Sequence, residues 1–191
     1  MTIEFIDDGH YYLIEGVIVP SVSEILRFKF PDAYAGIPEK VLKKKASYGT
    51  KLHQTIEDFI EKKFTLEELE ARNIDPDIKI AVEQFENLRK EWIFTIKSIE
   101  QIVNYKDHYA GTYDLKTTDN LIIDIKSTAV LHEDMLALQI GLYYLADNNP
   151  QEKGYCMWFP KGKAAQVKEI QVVGFDECKK IIEEYEKHTA K

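Results

Sequence analysis

A chain of 191 residues with 45% hydrophobic and 30% charged side chains has the length for one domain with a real core and the composition of a globular protein. No apolar run reaches the roughly 20 residues of a membrane span, and two cysteines, Cys156 and Cys178, are too few for a disulfide scaffold and lack zinc-ligand spacing. A net charge of −8 counts against non-specific nucleic-acid binding, which replaces counterions with Lys and Arg, although carboxylates clustered for a divalent cation add to the same negative sum.

The first residues alternate and are acidic. They lack the basic and apolar regions of a signal peptide and the Arg-rich bias of a transit peptide, so the expected compartment is the cytosol, of a bacterium or for a phage-encoded protein. Three short β-branched and aromatic runs at 3–6, 10–14 and 17–19 are separated by Asp8-Gly9 and Glu15-Gly16. They predict a small meander with tight turns. Pro20 ends it, and Ser21-Val22-Ser23-Glu24 is a capping box that opens a short helix to about Lys29. A loop with two prolines leads to a long helix over 39–63, whose Leu52, Ile56, Phe59 and Ile60 form an apolar stripe. His53 and Glu57 lie one turn apart on a neighbouring face. Gly49, one turn before His53, costs roughly 1 kcal/mol against Ala inside a helix, which suggests close approach of a backbone or ligand. Lys40, Lys43, Lys44, Lys45 and Lys51 are the best candidate for a basic face, or simply a solvated one. A short helix at 66–72 and one from Asp75-Pro76 to about Trp92 follow.

The period then changes. Strands are predicted at 94–104, 108–117 and 121–126, with turns at Asp107-His108 and Asp119-Asn120. The third, Leu-Ile-Ile-Asp-Ile-Lys, is apolar enough to be central in a sheet. A helix over 133–147, apolar on nearly all sides, should be buried. Two more strands at 153–160 and 166–173 and a helix over 175–188 complete the chain. The order predicts one α/β domain with a mixed central sheet flanked by helices, preceded by the meander and a helical part: 1–93 for the N-terminal portion and 94–191 for the core.

Chemistry is concentrated between Gly111 and Tyr143. Asp114 and Asp124 fall symmetrically about the turn at Asp119, so they should lie opposite each other on neighbouring strands. Cross-strand Cβ atoms are about 4.5–5.5 Å apart, a fit for one hard cation. Lys126 shares a face with Asp124. Read alone, these residues also fit an ordinary salt bridge at a sheet margin. Gln139 and Tyr143, at i and i+4, stack on one face of the apolar helix. They could find backbone partners in the core, or offer an amide and a phenol to a phosphate backbone.

Taken together, G-x-x-D (Gly111 to Asp114), D-x-K (Asp124 to Lys126) and Q-x-x-x-Y (Gln139 to Tyr143) resemble the RecB-type nucleases of the PD-(D/E)XK superfamily. Upstream, Gly49-Thr50-Lys51-Leu52-His53 looks like that family's G-x-x-x-H helix, and Glu100 matches a glutamate on the strand before G-x-x-D. His10-Tyr11-Tyr12 and Pro20 to Leu26 look like the start of phage-encoded and mitochondrial genome-maintenance exonucleases. The resemblance implies a restriction-endonuclease-like core. It implies that His53, Asp114, Asp124 and the backbone carbonyl of Ile125 hold Mg²⁺ or Mn²⁺, with Glu100 at a second ion or a water. Lys126 would position and help deprotonate the attacking water, its pKa lowered by the neighbouring ion. Gln139 and Tyr143 would contact the DNA near the scissile phosphate, with Ser127 and Thr128 lining the approach.

The expected activity is that of a metal-dependent DNA exonuclease acting on ends or single strands in recombination, repair or phage replication. A structure-specific endonuclease on branched or flapped DNA is the nearest alternative, and a catalytically silent nucleic-acid-binding module is the alternative of another class. Two cysteines cannot supply the four ligands of an iron–sulfur cluster, and no phosphate-binding loop of a helicase motor is present. Trp158-Phe159 or Tyr48 could stack on bases, though core packing is the ordinary role of such a tryptophan.

Overall fold

A computed structural model describes every residue except Met1, Asp7, Asp8, His10, Ile93 and Lys191. The turn expected at Asp8 and the opening His10 therefore lie outside the described residues. Two sheets and six helices follow in chain order: β1 (Ile3–Ile6), β2 (Tyr11–Ile14), β3 (Val17–Val19), α1 (Val22–Lys29), α2 (Glu39–Ile60), α3 (Leu66–Ala71), α4 (Pro76–Trp92), β4 (Ile96–Tyr105), β5 (Tyr109–Thr117), β6 (Ile122–Lys126), α5 (Glu133–Ala146), β7 (Lys153–Trp158), β8 (Gln166–Gln171) and α6 (Phe175–Thr189).

The larger sheet has the order β4-β5-β6-β7-β8. Every neighbouring pair is antiparallel except β6–β7, which is parallel. That parallel pair needs a crossover, and α5 is the helix that makes it. β6 is central, as the apolar Ile122, Ile123 and Ile125 lead one to expect. The chain is thus an α/β fold with a mixed sheet flanked by helices and a separate antiparallel meander, β1-β2-β3. Among the described residues, no helix is long and apolar enough to cross a membrane.

The sheet separates two cores. On one face Ile122 and Cys156 pack with Leu138, Ile140, Leu142 and Tyr144 of α5, with Val22, Ile25 and Leu26 of α1, and with Cys178, Ile181 and Ile182 of α6. On the other face Leu115, Ile123, Ile125 and Met157 pack with Leu52 and Ile56 of α2 and Ile78, Val82 and Phe85 of α4. Both cysteines are free and buried, as small core residues. The predicted capping box is formed: Glu24 N–H donates to Ser21 Oγ, and the Glu24 carboxylate accepts from Ser21 N–H at 2.7 Å.

Close approaches join the elements around β5. A Cβ at Gly111 would fall 2.7 Å from Val22 Cγ2 and 2.9 Å from Tyr143 Cε1, so glycine lets α1 and α5 close on the strand. The meander is tied to the same strand. Ala110 N–H donates to the Pro20 carbonyl, and the hydroxyls of Tyr12 and Thr112 lie 2.8 Å apart. Tyr12, Ile14, Val19 and Ala110 form a third, small core.

Candidate metal centre and strand cleft

Asp114 and Asp124 stand where β5 and β6 separate. The pairing register is the one the turn predicts, Leu115 with Ile123 and Lys116 with Ile122, but it stops there. The next pair would be Asp114 with Asp124. Instead the Asp114 carboxylate enters the gap, and its Oδ2 accepts from Ile125 N–H at 2.5 Å. The register still sets the two aspartates opposite each other, as the turn predicts, but they stand beyond the last ladder pair, where a side chain has replaced the backbone bond to Ile125. In an extended strand the N–H and C=O of one residue point to the same side, so the Ile125 carbonyl faces the gap that holds Asp114.

β4 adapts to the same opening. Glu100 has φ of 43° between two ordinarily paired neighbours, Ile99 with Leu115 and Gln101 with Tyr113. A left-handed glutamate in a strand costs of order 1–3 kcal/mol and persists only where its surroundings hold it. The hairpin turns about itself at this point. Tyr113 belongs to the core under α5, whereas Leu115, two residues on, belongs to the core under α2.

His53 enters from α2. Its Nδ1 lies 3.3 Å from Asp114 Oδ1. Ligand atoms of His53, Glu100 and Asp114 all lie within 4.8 Å of one another, a grouping able to hold a metal ion. Asp124 is set beside this cluster rather than within it. It is 2% exposed, and its Oδ2 lies 2.6 Å from Lys126 Nζ. Oδ2 is buried, and this lysine is the group it meets among the described residues. The salt bridge and the cation site, alternatives in the sequence, thus coexist.

Electrostatics follow from this crowding. Burial, with Asp114 nearby, lifts the Asp124 carboxyl to about 6, against the opposing pull of Lys126. Burial and then Asp114 lift Glu100 to about 7. Burial pushes Asp114 up too, but His53, Lys126 and the Ile125 N–H outweigh it and hold its carboxyl below the ordinary value. Burial lowers His53, yet Asp114 more than compensates and raises it to about 9. For Lys126, burial is overcome by Asp124 and Asp114, and its pKa rises. The lowering expected of Lys126 was conditional on a bound ion; the protein's own charges act in the opposite direction.

These groups line a cleft of about 490 Å³. His53, Glu100, Asp114, Asp124, Lys126, Gln139 and Tyr143 all face it. Gln139 Nε2 donates to Tyr143 Oη at 3.1 Å, so the amide and the phenol act as one unit on α5. Burial raises the Tyr143 phenol well above its ordinary range, with Asp124 adding to it. Ser127 and Thr128 do not line this cleft. A Cβ at Gly49 would meet Ser127 Oγ at 3.4 Å, an ordinary contact, so close packing does not require that glycine. The Thr128 carbonyl accepts from Trp158 Nε1 at 2.7 Å, which gives the tryptophan a structural partner.

Several lining residues carried no expected role: Phe5, Tyr12, Ser21, Ser23, Glu57 and Thr112. Thr112 and Glu57 were within reach of periodicity, since one is two residues from Asp114 on a strand and the other four from His53 on a helix. Phe5 and Tyr12 were not, because only the docking of the meander brings them there.

No family model matches the chain, and no curated protein matches it in sequence. Among solved structures, a crystal structure of SSO0001 is similar at 16% identity and a TM-score of 0.48, covering 88% of this chain and 73% of that one. A likeness at that level carries no argument about activity.

Proposed function

We propose that the chain is a metal-dependent deoxyribonuclease of the RecB type in the PD-(D/E)XK superfamily, hydrolysing phosphodiester bonds at DNA ends or in single strands. The observation that carries the reading is the convergence of distant segments on one cleft: His53 from α2, Glu100 from β4, Asp114 from β5, Asp124 and Lys126 from β6, and Gln139 with Tyr143 from α5. A salt bridge at a sheet margin needs two of these residues and gives no reason for the others.

The donor set fits a divalent cation. Carboxylates and a carbonyl suit Mg²⁺ or Mn²⁺, and the imidazole adds a nitrogen donor of the kind transition metals take. Asp124 Oδ2, buried and in contact with Lys126, keeps acceptor capacity for one more interaction. His53, Glu100, Asp114, Asp124 and the Ile125 carbonyl would hold the ion. When bound, such a cation stabilises charge on phosphoryl and leaving oxygens and yields a nucleophilic water near neutral pH.

The chain's own groups do the rest. Lys126, kept protonated by Asp124 and Asp114, is a donor that orients water or a phosphoryl oxygen and supplies positive charge as negative charge develops. Gln139 offers its amide and Tyr143 its hydroxyl along one wall, positioned by their mutual hydrogen bond. Glycine at 111 allows that wall to approach β5.

End-labelled linear, circular and single-stranded DNA, incubated with Mg²⁺ or Mn²⁺, test the proposal. Release of label from linear but not circular substrates is the expected result. Cutting of circles would replace the exonuclease by the endonuclease reading, and failure to cut any nucleic acid with metal present would remove the enzymatic one.

A further inference from the structure

A second hollow, of about 290 Å³, lies between α2, the start of α4 and the β7–β8 turn. Tyr48, Ile80, Phe159 and Pro160 give it apolar walls, and Lys161 and Lys163 border it. Lys161 Nζ stands 5.6 Å from the centroid of the Tyr48 ring and is paired with Asp77. Its size is at the lower end of ligand-sized hollows.

The helix beside it is built unusually. From Glu39 to Ser47, more than two turns, α2 has no buried residue. Helical stability in a protein comes mainly from packing an apolar face, so this half of α2 is not explained by the core. Residues one turn from Tyr48 are Lys44, Lys45 and Lys51. These three and Lys163 are exposed. None has an ion-pair partner among the described residues, which is also true of the exposed Lys62, Lys97 and Lys106 elsewhere; here four such lysines stand within a turn of one ring or border the hollow beside it. In a chain of net charge −8, free ammonium groups gathered around one partly exposed ring require a reason. A flexible polyanion carrying flat apolar units satisfies both features, since phosphates meet the lysines and bases meet the ring. The hollow is concave, which suits a strand and not a membrane surface.

Tyr48 precedes His53 by five residues, about 7.5 Å along the helix and about 140° around it. The hollow is therefore on the other flank of α2 from the cleft, a few nucleotides of strand away. We propose that it is a second subsite for the single-stranded DNA whose phosphodiester bond the cleft cuts, with Tyr48 as the stacking platform and Lys44, Lys45, Lys51, Lys161 and Lys163 along the phosphates. Asp77 offsets one of these charges. The inference rests on the nuclease reading of the cleft.

Binding of labelled oligodeoxynucleotides of increasing length to the full chain, in chelator so that no turnover occurs, tests it. Wild-type affinity should rise once the strand is long enough to leave the cleft. Tyr48→Ala should lose that gain, about 5- to 150-fold for one stacked base, while Tyr48→Phe keeps it. Each lysine converted to Ala should reduce the magnitude of the salt slope by about 0.7, and Lys179→Ala, on α6, should leave it unchanged. If the wild type binds and cuts DNA but Tyr48→Ala and the lysine variants retain both length gain and slope, the subsite is disproved and the cleft stands. If the wild type neither binds nor cuts, the cleft reading falls and takes the subsite with it.

Discussion

Asp124 is held in an unfavourable state. Its carboxyl is buried and raised to about 6, and its Oδ2 lies 2.6 Å from a single cation. A buried carboxylate is costly unless it is paired, and here the pairing is local. Lys126 reaches the same atom from two residues on, as the period of a strand requires. Under the nuclease reading, Lys126→Ala should abolish DNA cleavage by several orders of magnitude yet leave DNA binding within a few-fold, measured by single-turnover assay beside equilibrium binding in chelator. Full activity in that variant would remove the lysine from the mechanism. Asp114 and Glu100 show what residue-level reading misses. Their identities are visible in the chain, but the substitution of a carboxylate for a ladder bond and the left-handed φ of Glu100 arise only when three strands are brought together.

At the scale of elements, α5 makes the parallel crossover and also supplies one wall of the cleft. Its place is fixed by backbone contact at two glycines. A Cβ at Gly141 would fall 2.5 Å from the Val173 carbonyl oxygen, and one at Gly154 would fall 2.7 Å from Ile140 Cγ2. The first neighbour is backbone, which cannot turn aside as a side chain can. Gly141→Ala should therefore destabilise the fold by about 1–3 kcal/mol, read as a lowered denaturation midpoint with an unchanged slope. A neutral result would mean that α5 has more freedom than its packing indicates. The C-terminal end of α5 is held by Asp147, which pairs with the buried Lys116 of β5. Removing one member of a buried pair strands the other, so Lys116→Ala should cost on the order of 2–3 kcal/mol in thermal or chemical denaturation. Helix ends and strand ends of this kind were legible from capping and turn residues, and most elements begin and end within two residues of expectation. The exception is α2, expected to run to Lys63, which ends at Ile60, just before Lys62 takes a left-handed φ of 59° that a helix cannot continue through.

For the whole molecule, the cluster links pH to stability, and under the nuclease reading it links metal to both. Asp124, Glu100 and His53 all have folded pKa values raised above their ordinary ones, to about 6, about 7 and about 9. A raised pKa contributes stability fully present below the unfolded value and lost as pH rises through the folded one. The metal-free protein should therefore lose thermal stability stepwise from about pH 4 to about pH 9 through these groups, with Asp114, whose pKa is lowered, acting the opposite way only in acid. Glu100→Gln should flatten the part of the profile between about 4.5 and 7. Added Mn²⁺ should raise the melting temperature at pH 8, by an amount equivalent to about 2.7 kcal/mol at a hundredfold excess over its dissociation constant, and less at pH 6, where protons compete for the carboxylates. Melting curves that ignore both Mn²⁺ and Glu100→Gln would show that the cluster does not bind an ion.

The sequence by itself determined the elements, their order and the mixed sheet, because hydrophobic period, caps and turns are local properties. It also marked which residues carry chemistry, since Asp114, Asp124, Lys126 and Gln139 are uncommon choices in otherwise apolar strands and an otherwise apolar helix. Only the tertiary structure decided how they stand to one another. The parting of β5 from β6 put Asp114 with His53 and Glu100 and left Asp124 with Lys126. The docking of the meander and α1 added Tyr12 and Ser23 to the cleft, whereas Ser127 faces Gly49 of α2. Contacts between residues far apart in the chain depend on how whole faces pack, and no local pattern encodes the distance between two side chains whose strands have ceased to pair.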